Sequence, residues 1–355
     1  MFKPNTVFVV GAGASKEFGL PLGSGLAASI VHNLTVTTDR AGYGAHYVDR
    51  RTEDLLRHRY KGQPEGLDGA FEAGALIQKG ILHAQSIDAF IDMHADKPGV
   101  ATVGKLQIAL EILRAEKNSE LAVDRSNTLN RIEVGSDVVA GSWLRVFTEI
   151  LLEKAKATDT SSIGRGVTIV CFNYDRCIEH YLIEAIEATL GLTYQEAHTI
   201  VYGMNIIHPY GSLGRLPSSR GGRDGIDFGA DPDHGTDIWQ IADGLSTFTE
   251  EMGDQDQVTK IRWAIGQAHM LVFLGFGFQI QNVQLLSPDA ASAGARISVG
   301  ISTGIGIHDV AKREVRGRIR SVLTGATYDE AREAIMLDVG CGDLMRYNRL
   351  TLSGT

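Results

Sequence analysis

Five apolar runs stand out along the chain, and each stops at a glycine or a polar residue: "TVFVV" before Gly11, "VTIVCF" before Asn173, "MNII" before His208, "MLVFL" before Gly275 and "RISVGI" before Ser302. They do not alternate apolar with polar, and Val and Ile dominate, which predicts strands buried on both faces of a parallel sheet. Helical periodicity fills the intervals. After "FNYD", Ile178, Tyr181, Leu182, Ala185 and Ile186 share one helix face, with Glu179, His180, Glu184 and Glu187 on the other. "QVTKIRWAIGQAH" reads as a second crossover helix ahead of "MLVFL". The alternation predicts an α/β fold with a doubly wound, mostly parallel, Rossmann-like sheet, whose ligands bind beyond the carboxyl ends of the strands.

Residues 29–164 break this rhythm. They are rich in charged and polar positions, and "VGKLQIALEILRAEKN" sets Leu106, Ala109, Leu110 and Leu113 at helical spacing. The span reads as a mainly helical insertion subdomain, leaving a discontinuous α/β domain of residues 1–28 and 165–355. Two stretches rich in Gly, Asp and Arg read as loops: "TTDRAGYGAHYVDRRTED", and "PSSRGGRDGIDFGADPDHGTD" at 217–237, the latter as a mobile lid near His208. His180 and His198 fall in or beside helical patterns and read as surface residues.

Composition narrows the function. A chain of 355 residues that is 43% hydrophobic can bury a full core, while a net charge of −9 supplies no general basic face, so direct nucleic-acid binding is disfavoured. No run approaches the roughly 20 apolar residues of a membrane span, and the chain enters a strand without a signal-peptide pattern, which predicts no membrane association and a cytoplasmic location. Cys171, Cys177 and Cys341 are too few and too scattered for a disulfide framework or a structural zinc site.

The opening "GAGAS", followed by "GLP", puts a glycine-rich turn between a strand and a helix, where amide N–H groups and a helix N-terminus suit a diphosphate. The usual fingerprints do not fit. Lys16 stands where the third glycine of G-x-G-x-x-G belongs, no G-K-S or G-K-T follows, and the nearest later acid, Asp39, lies in a loop-like stretch.

Three further stretches, "CFNYD", "HPYGSL" and "LGFGFQIQN", follow in order, each at a predicted strand end. Together with "GAGAS" and "GLP" they resemble the SIR2-like family, relatives of the sirtuins, over roughly residues 5–28 and 166–345. "SIDAFID" and "CGDLMRYNRL" also look like SIR2-like proteins of bacterial antiphage systems. The resemblance implies that Gly11, Ala12, Gly13, Ser15 and Pro21 bind NAD, that Asn173 is catalytic beside the nicotinamide ribose, and that His208 is the base. Asp175, Gly211, Gly275, Gly277 and Asn282 complete the implied cofactor set. Phe276 and Phe278 are expected to pack. Asp88 and Asp92, four residues apart in "SIDAFID", fit an amphipathic helix better than the pocket, with reach into the pocket as the alternative.

Protein-deacylating sirtuins carry a four-cysteine zinc module, which three cysteines cannot build. The resemblance therefore implies an NAD glycohydrolase that needs no zinc, takes NAD as substrate and produces nicotinamide and ADP-ribose. Cleavage of that bond passes through an oxocarbenium-like state with a neutral leaving group, so a carboxamide to position ribose and water, plus a base near neutrality, is a sufficient set. The expected setting is antiphage defence by NAD depletion, in a homo-oligomer gated by a partner such as a motor ATPase or a phage-sensing subunit. An ADP-ribosyl transferase or deacylase, and a non-catalytic NAD or nucleotide sensor, are the alternatives.

Overall fold

Thr6–Val10 forms β1, every residue of it buried, because Val7 and Val9 pack into the core on one side of the sheet and Phe8 and Val10 into the core on the other. The computed structural model describes residues 1–38, 45–123, 132, 136–231, 237–253, 255–287, 299–324 and 333–354. Around β1 lie β2 (Val167–Cys171), β3 (Asn205–Ile207), β4 (Met270–Leu274), β5 (Val299–Thr303) and β6 (Glu333–Leu337). All pairings are parallel, in the order β3-β2-β1-β4-β5-β6, so the Rossmann-like α/β sheet is present and its strand order reverses between β1 and β4. Residues 296–298 of "RISVGI" lie outside the described residues. The edge strand β6, "EAIML", opens on a glutamate and does not stand out as an apolar run.

The chain between β1 and β2 covers both faces of the sheet. Helix α1 (Gly23–Asn33) runs through position 28, and with α2 (Ile87–Met93) and α3 (Pro98–Lys117) it packs on the side of Val7 and Val9. Leu106, Ala109, Leu110 and Leu113 of α3 are wholly buried, each leucine stabilising the fold by about 1.5–3 kcal/mol. Helix α4 (Trp143–Leu152) packs on the opposite side, where the Phe147 ring meets Phe8 edge-on at 5.1 Å. Of the two stretches read as loops, the first contains strand Ala45–Tyr47 and the start of helix Arg50–Arg59. Asp39, with the rest of 39–44, lies outside the described residues. Among the described residues no helix is long and apolar enough to cross a membrane.

Helix α5 (Cys177–Leu190) departs from its sequence pattern, because Glu179, His180 and Glu184 on its polar face are all buried. The segment 216–229 and the chain after α3 lie over that face. His180 Nε2 bonds the Leu121 carbonyl at 3.1 Å and its ring stacks on Phe228, so burial holds its pKa down to about 3. Arg220 pairs with Glu184 and Glu187, and His198 bonds the Leu216 carbonyl. Neither histidine is a surface residue, as periodicity predicts, because distant chain covers both.

The same segment is anchored from below by a wholly buried ion pair, Arg176 with Glu116 of α3. The guanidinium also donates to the carbonyls of Ile226 and Asp227, and Glu116 accepts from the Gly229 amide. Residues 226–229, inside the stretch read as a lid, are thus tied to this pair. Residues 232–236 lie outside the described residues. Removing one partner of such a pair strands a buried charge and costs about 3–5 kcal/mol.

Where β1 and β4 end, their turns meet backbone to backbone. Gly11 N–H donates to Leu274 O and Gly13 N–H to Gly275 O, both at 3.0 Å. A methyl group at Gly11 or Gly13 would lie 2.7 Å from the Gly275 backbone, and one at Gly275, where φ is +57°, would lie 2.2 Å from Ala14 N. The sequence reading assigns these glycines to the approach of a diphosphate; in the fold their missing side chains first make room for each other. Gly275→Ala is expected to lower stability by more than about 1 kcal/mol, since alanine combines a left-handed φ with a backbone collision. Gly277→Ala, with open space around it, should stay within about 0.5 kcal/mol. Urea unfolding of both variants checks the contrast, and equal stabilities would refute the contact.

Candidate functional site

The strand ends on either side of the β1–β4 reversal enclose a cavity of about 290 Å³, near the lower end of the range for small-molecule sites. Gly11, Ala12, Gly13 and Ser15 come from the turn after β1, and Pro21, Leu22 and Gly23 from the entry to α1. Phe172, Asn173, Tyr174 and Asp175 follow β2; Gly275, Phe276, Gly277 and Asn282 follow β4. Ser86 and Asp88 reach it from α2, and Tyr210 from the segment after β3. Ten of the twelve site residues expected from the sequence thus share one cavity. Phe276 and Phe278 pack as expected, both buried.

Asn173 links two strand-end turns of the cavity. Its Nδ2 donates to Gly11 O at 3.1 Å and Ser15 Oγ at 2.9 Å, tying the end of β2 to the opening turn. Asp175 accepts from the Cys177 amide at the start of α5, and burial raises its pKa. Tyr210 donates to Asn282 Oδ1 at 2.6 Å. No side chain caps the first turn of α1, whose Leu22 and Gly23 line the cavity. Among the described residues no Lys, Arg or His lines the cavity; the charges on its wall are the carboxylates of Asp88 and Asp175.

Two expected residues lie elsewhere. Gly211 does not line the cavity; it turns with φ +76° against the Gly244 carbonyl. His208 is likewise off the wall, with Nε2 2.8 Å from Glu179 Oε1 and Nδ1 2.9 Å from Asn173 O. Burial opposes its charge, but the Glu179 carboxylate outweighs burial and lifts the His208 pKa well above the ordinary 6.5. The imidazolium in turn holds Glu179 below its ordinary range, against the effect of burial. In this arrangement both ring nitrogens of His208 are engaged, one by the Asn173 carbonyl and one by the Glu179 carboxylate.

Sequence reasoning missed Tyr174, Tyr210 and Phe172 as cavity residues and ranked the pocket second for Asp88. Asp88 and Tyr174 are 86 positions apart yet hydrogen-bonded, and nothing local in either stretch signals the partner. The serine at 86, which caps α2 by accepting from Ala89 N, was the one readable sign that a helix starts there.

Fold and site define a class: a Rossmann-like α/β protein with a cation-free cavity at the reversal of strand order. No family model matches the chain, and comparison with curated proteins finds no match.

The His208–Glu179 pair makes a pH prediction. The raised histidine contributes stability that is full below pH 6.5 and declines above it; the depressed glutamate contributes stability that is full above pH 4.5 and lost below it. The melting-temperature difference between the wild type and the Glu179→Gln/His208→Asn double variant should therefore peak between pH 4.5 and 6.5. A difference that keeps growing from pH 7 to 9 in thermal melts would contradict the charged pair.

Proposed function

We propose that the chain cleaves the bond between nicotinamide and ribose in NAD with water as acceptor, in the manner of SIR2-like NAD hydrolases. One observation supports the reading above others: the "GAGAS" turn, the "NYD" segment and the "GFG" turn, far apart in sequence, wall a single cavity at the β1–β4 reversal. In this reading the uncapped amides at the start of α1 face the diphosphate, which needs no cation from the wall. The Asn173 carboxamide, oriented by its bonds to Gly11 and Ser15, positions the nicotinamide ribose. Asp175 and Asn282 serve as polar contacts within the same wall. Depletion of NAD in antiphage defence, as an oligomer under a partner's control, is proposed with it on the sequence resemblance alone.

A second reading, a nucleotide sensor that binds without turnover, is favoured by the engagement of both His208 nitrogens. Free nicotinamide measured by chromatography separates the two. The wild type, even without its partner, should release it from NAD at a low basal rate without an acylated peptide or acceptor protein. Asn173→Ala should lower kcat by about 10²–10³-fold, the scale of one transition-state hydrogen-bonding group, while calorimetry still detects NAD binding. Binding with no release by the wild type would establish the sensor, and no binding would overturn both.

A further inference from the structure

With both nitrogens of His208 engaged, hydrolysis needs a proton acceptor on the cavity wall, and the described residues there supply two carboxylates. Asp175 is committed to the amide of Cys177. Asp88 is different. It stands in the first turn of α2, whose cap is already Ser86, and its Oδ1 accepts from the hydroxyl of Tyr174, the residue after Asn173. Tyr174 itself is buried on the same wall.

We propose that Asp88 is the general base of this cavity and Tyr174 its positioning partner, an inference that rests on the hydrolase reading. As the oxygen of water bonds to the ribose anomeric carbon, the electron pair of the breaking carbon–nitrogen bond passes to the nicotinamide ring nitrogen, which leaves neutral. The water proton passes to the Asp88 carboxylate and then to solvent, so each turnover releases one proton together with nicotinamide and ADP-ribose.

The surroundings suit that role. Burial raises the Asp88 pKa to about 6; the Tyr174 hydroxyl bond and the Lys105 ammonium favour its charge, and Asp92 opposes it. Asp92 shares α2 with Asp88, and its Oδ2 is buried without a hydrogen-bond partner among the described residues. Lys105 comes from α3 and is paired with Glu250 at 2.8 Å. Tyr210 stands on the same wall, its hydroxyl turned to Asn282. A carboxylate that titrates near 6 is ionised at neutral pH and still basic enough to take a proton in the transition state.

The experiment follows kcat for nicotinamide release against pH in the wild type, Asp88→Asn and Tyr174→Phe, with NAD binding by calorimetry and melting temperature on the same samples. The wild-type kcat should rise with pH about a midpoint near 6. Asp88→Asn should lose about 10²–10⁴-fold in kcat, with a flat pH profile and NAD affinity kept. Its melting temperature at pH 7.5 should be no lower than wild type, because a carboxyl whose pKa is raised by burial costs stability once ionised. Tyr174→Phe should move the midpoint to higher pH, since the lost hydroxyl favours the carboxylate. Wild-type turnover with Asp88→Asn near wild type overturns the inference and leaves the hydrolase reading standing; a wild type that releases no nicotinamide overturns both. Loss of kcat accompanied by a collapsed melting temperature, or an unmoved midpoint in Tyr174→Phe, assigns the pair to the fold and overturns the proposal.

Discussion

Two turns that touch without side chains hold this structure together at its centre. Gly11 and Gly13 at the end of β1, and Gly275 at the end of β4, approach so closely that any Cβ would strike backbone. That contact brings the two strands on either side of the reversal to a common edge, and the cavity opens where they diverge. The wall groups at the ends of β1, β2 and β4 meet at this edge. Asn173 bonds to Gly11 and Ser15, and the Gly275 amide is held in turn by Thr303 Oγ1 at 3.0 Å from the end of β5. Glycine there is a packing requirement before it is a ligand-binding one.

A second constraint works through buried charge. The few residues between β2 and α5 carry Asn173 into the cavity wall and, three positions on, Arg176 into a wholly buried pair with Glu116. The carbonyls of Ile226 and Asp227 and the amide of Gly229 satisfy the remainder of that pair, so the segment 226–229, α3 and the end of β2 form one hydrogen-bonded unit. His208 and Glu179 add a further pair beneath Asn173. Such an arrangement leaves little freedom to the wall, because loosening any one partner strands a charge in a low-dielectric interior. Groups held this way are fixed in position before any ligand arrives.

Much of the fold was legible from residue pattern. Five strands follow from apolar runs, and the helices at 98–117, 177–190 and 255–266 follow from 3.6-residue spacing. Strand-end motifs brought ten expected residues to one cavity, because in a parallel sheet a strand end is a place as well as a position in sequence. Pattern failed where burial came from distant chain: His180 and His198 look like helix-surface residues until Phe228 and Leu216 cover them.

What the sequence by itself determined is therefore the periodic part: which runs are strands, which faces are apolar, and that glycine-rich turns close the strands. Only the tertiary structure decided the chemistry of the charged groups. His208 carries the residue type of a base, yet Glu179 binds its proton in place; Asp88 carries the pattern of a solvated helix turn, yet Tyr174 and the cavity hold it at the wall. The reason is physical: hydrophobic periodicity is a local property of the chain, whereas the protonation state and reach of a side chain depend on partners that only folding brings within a few ångströms.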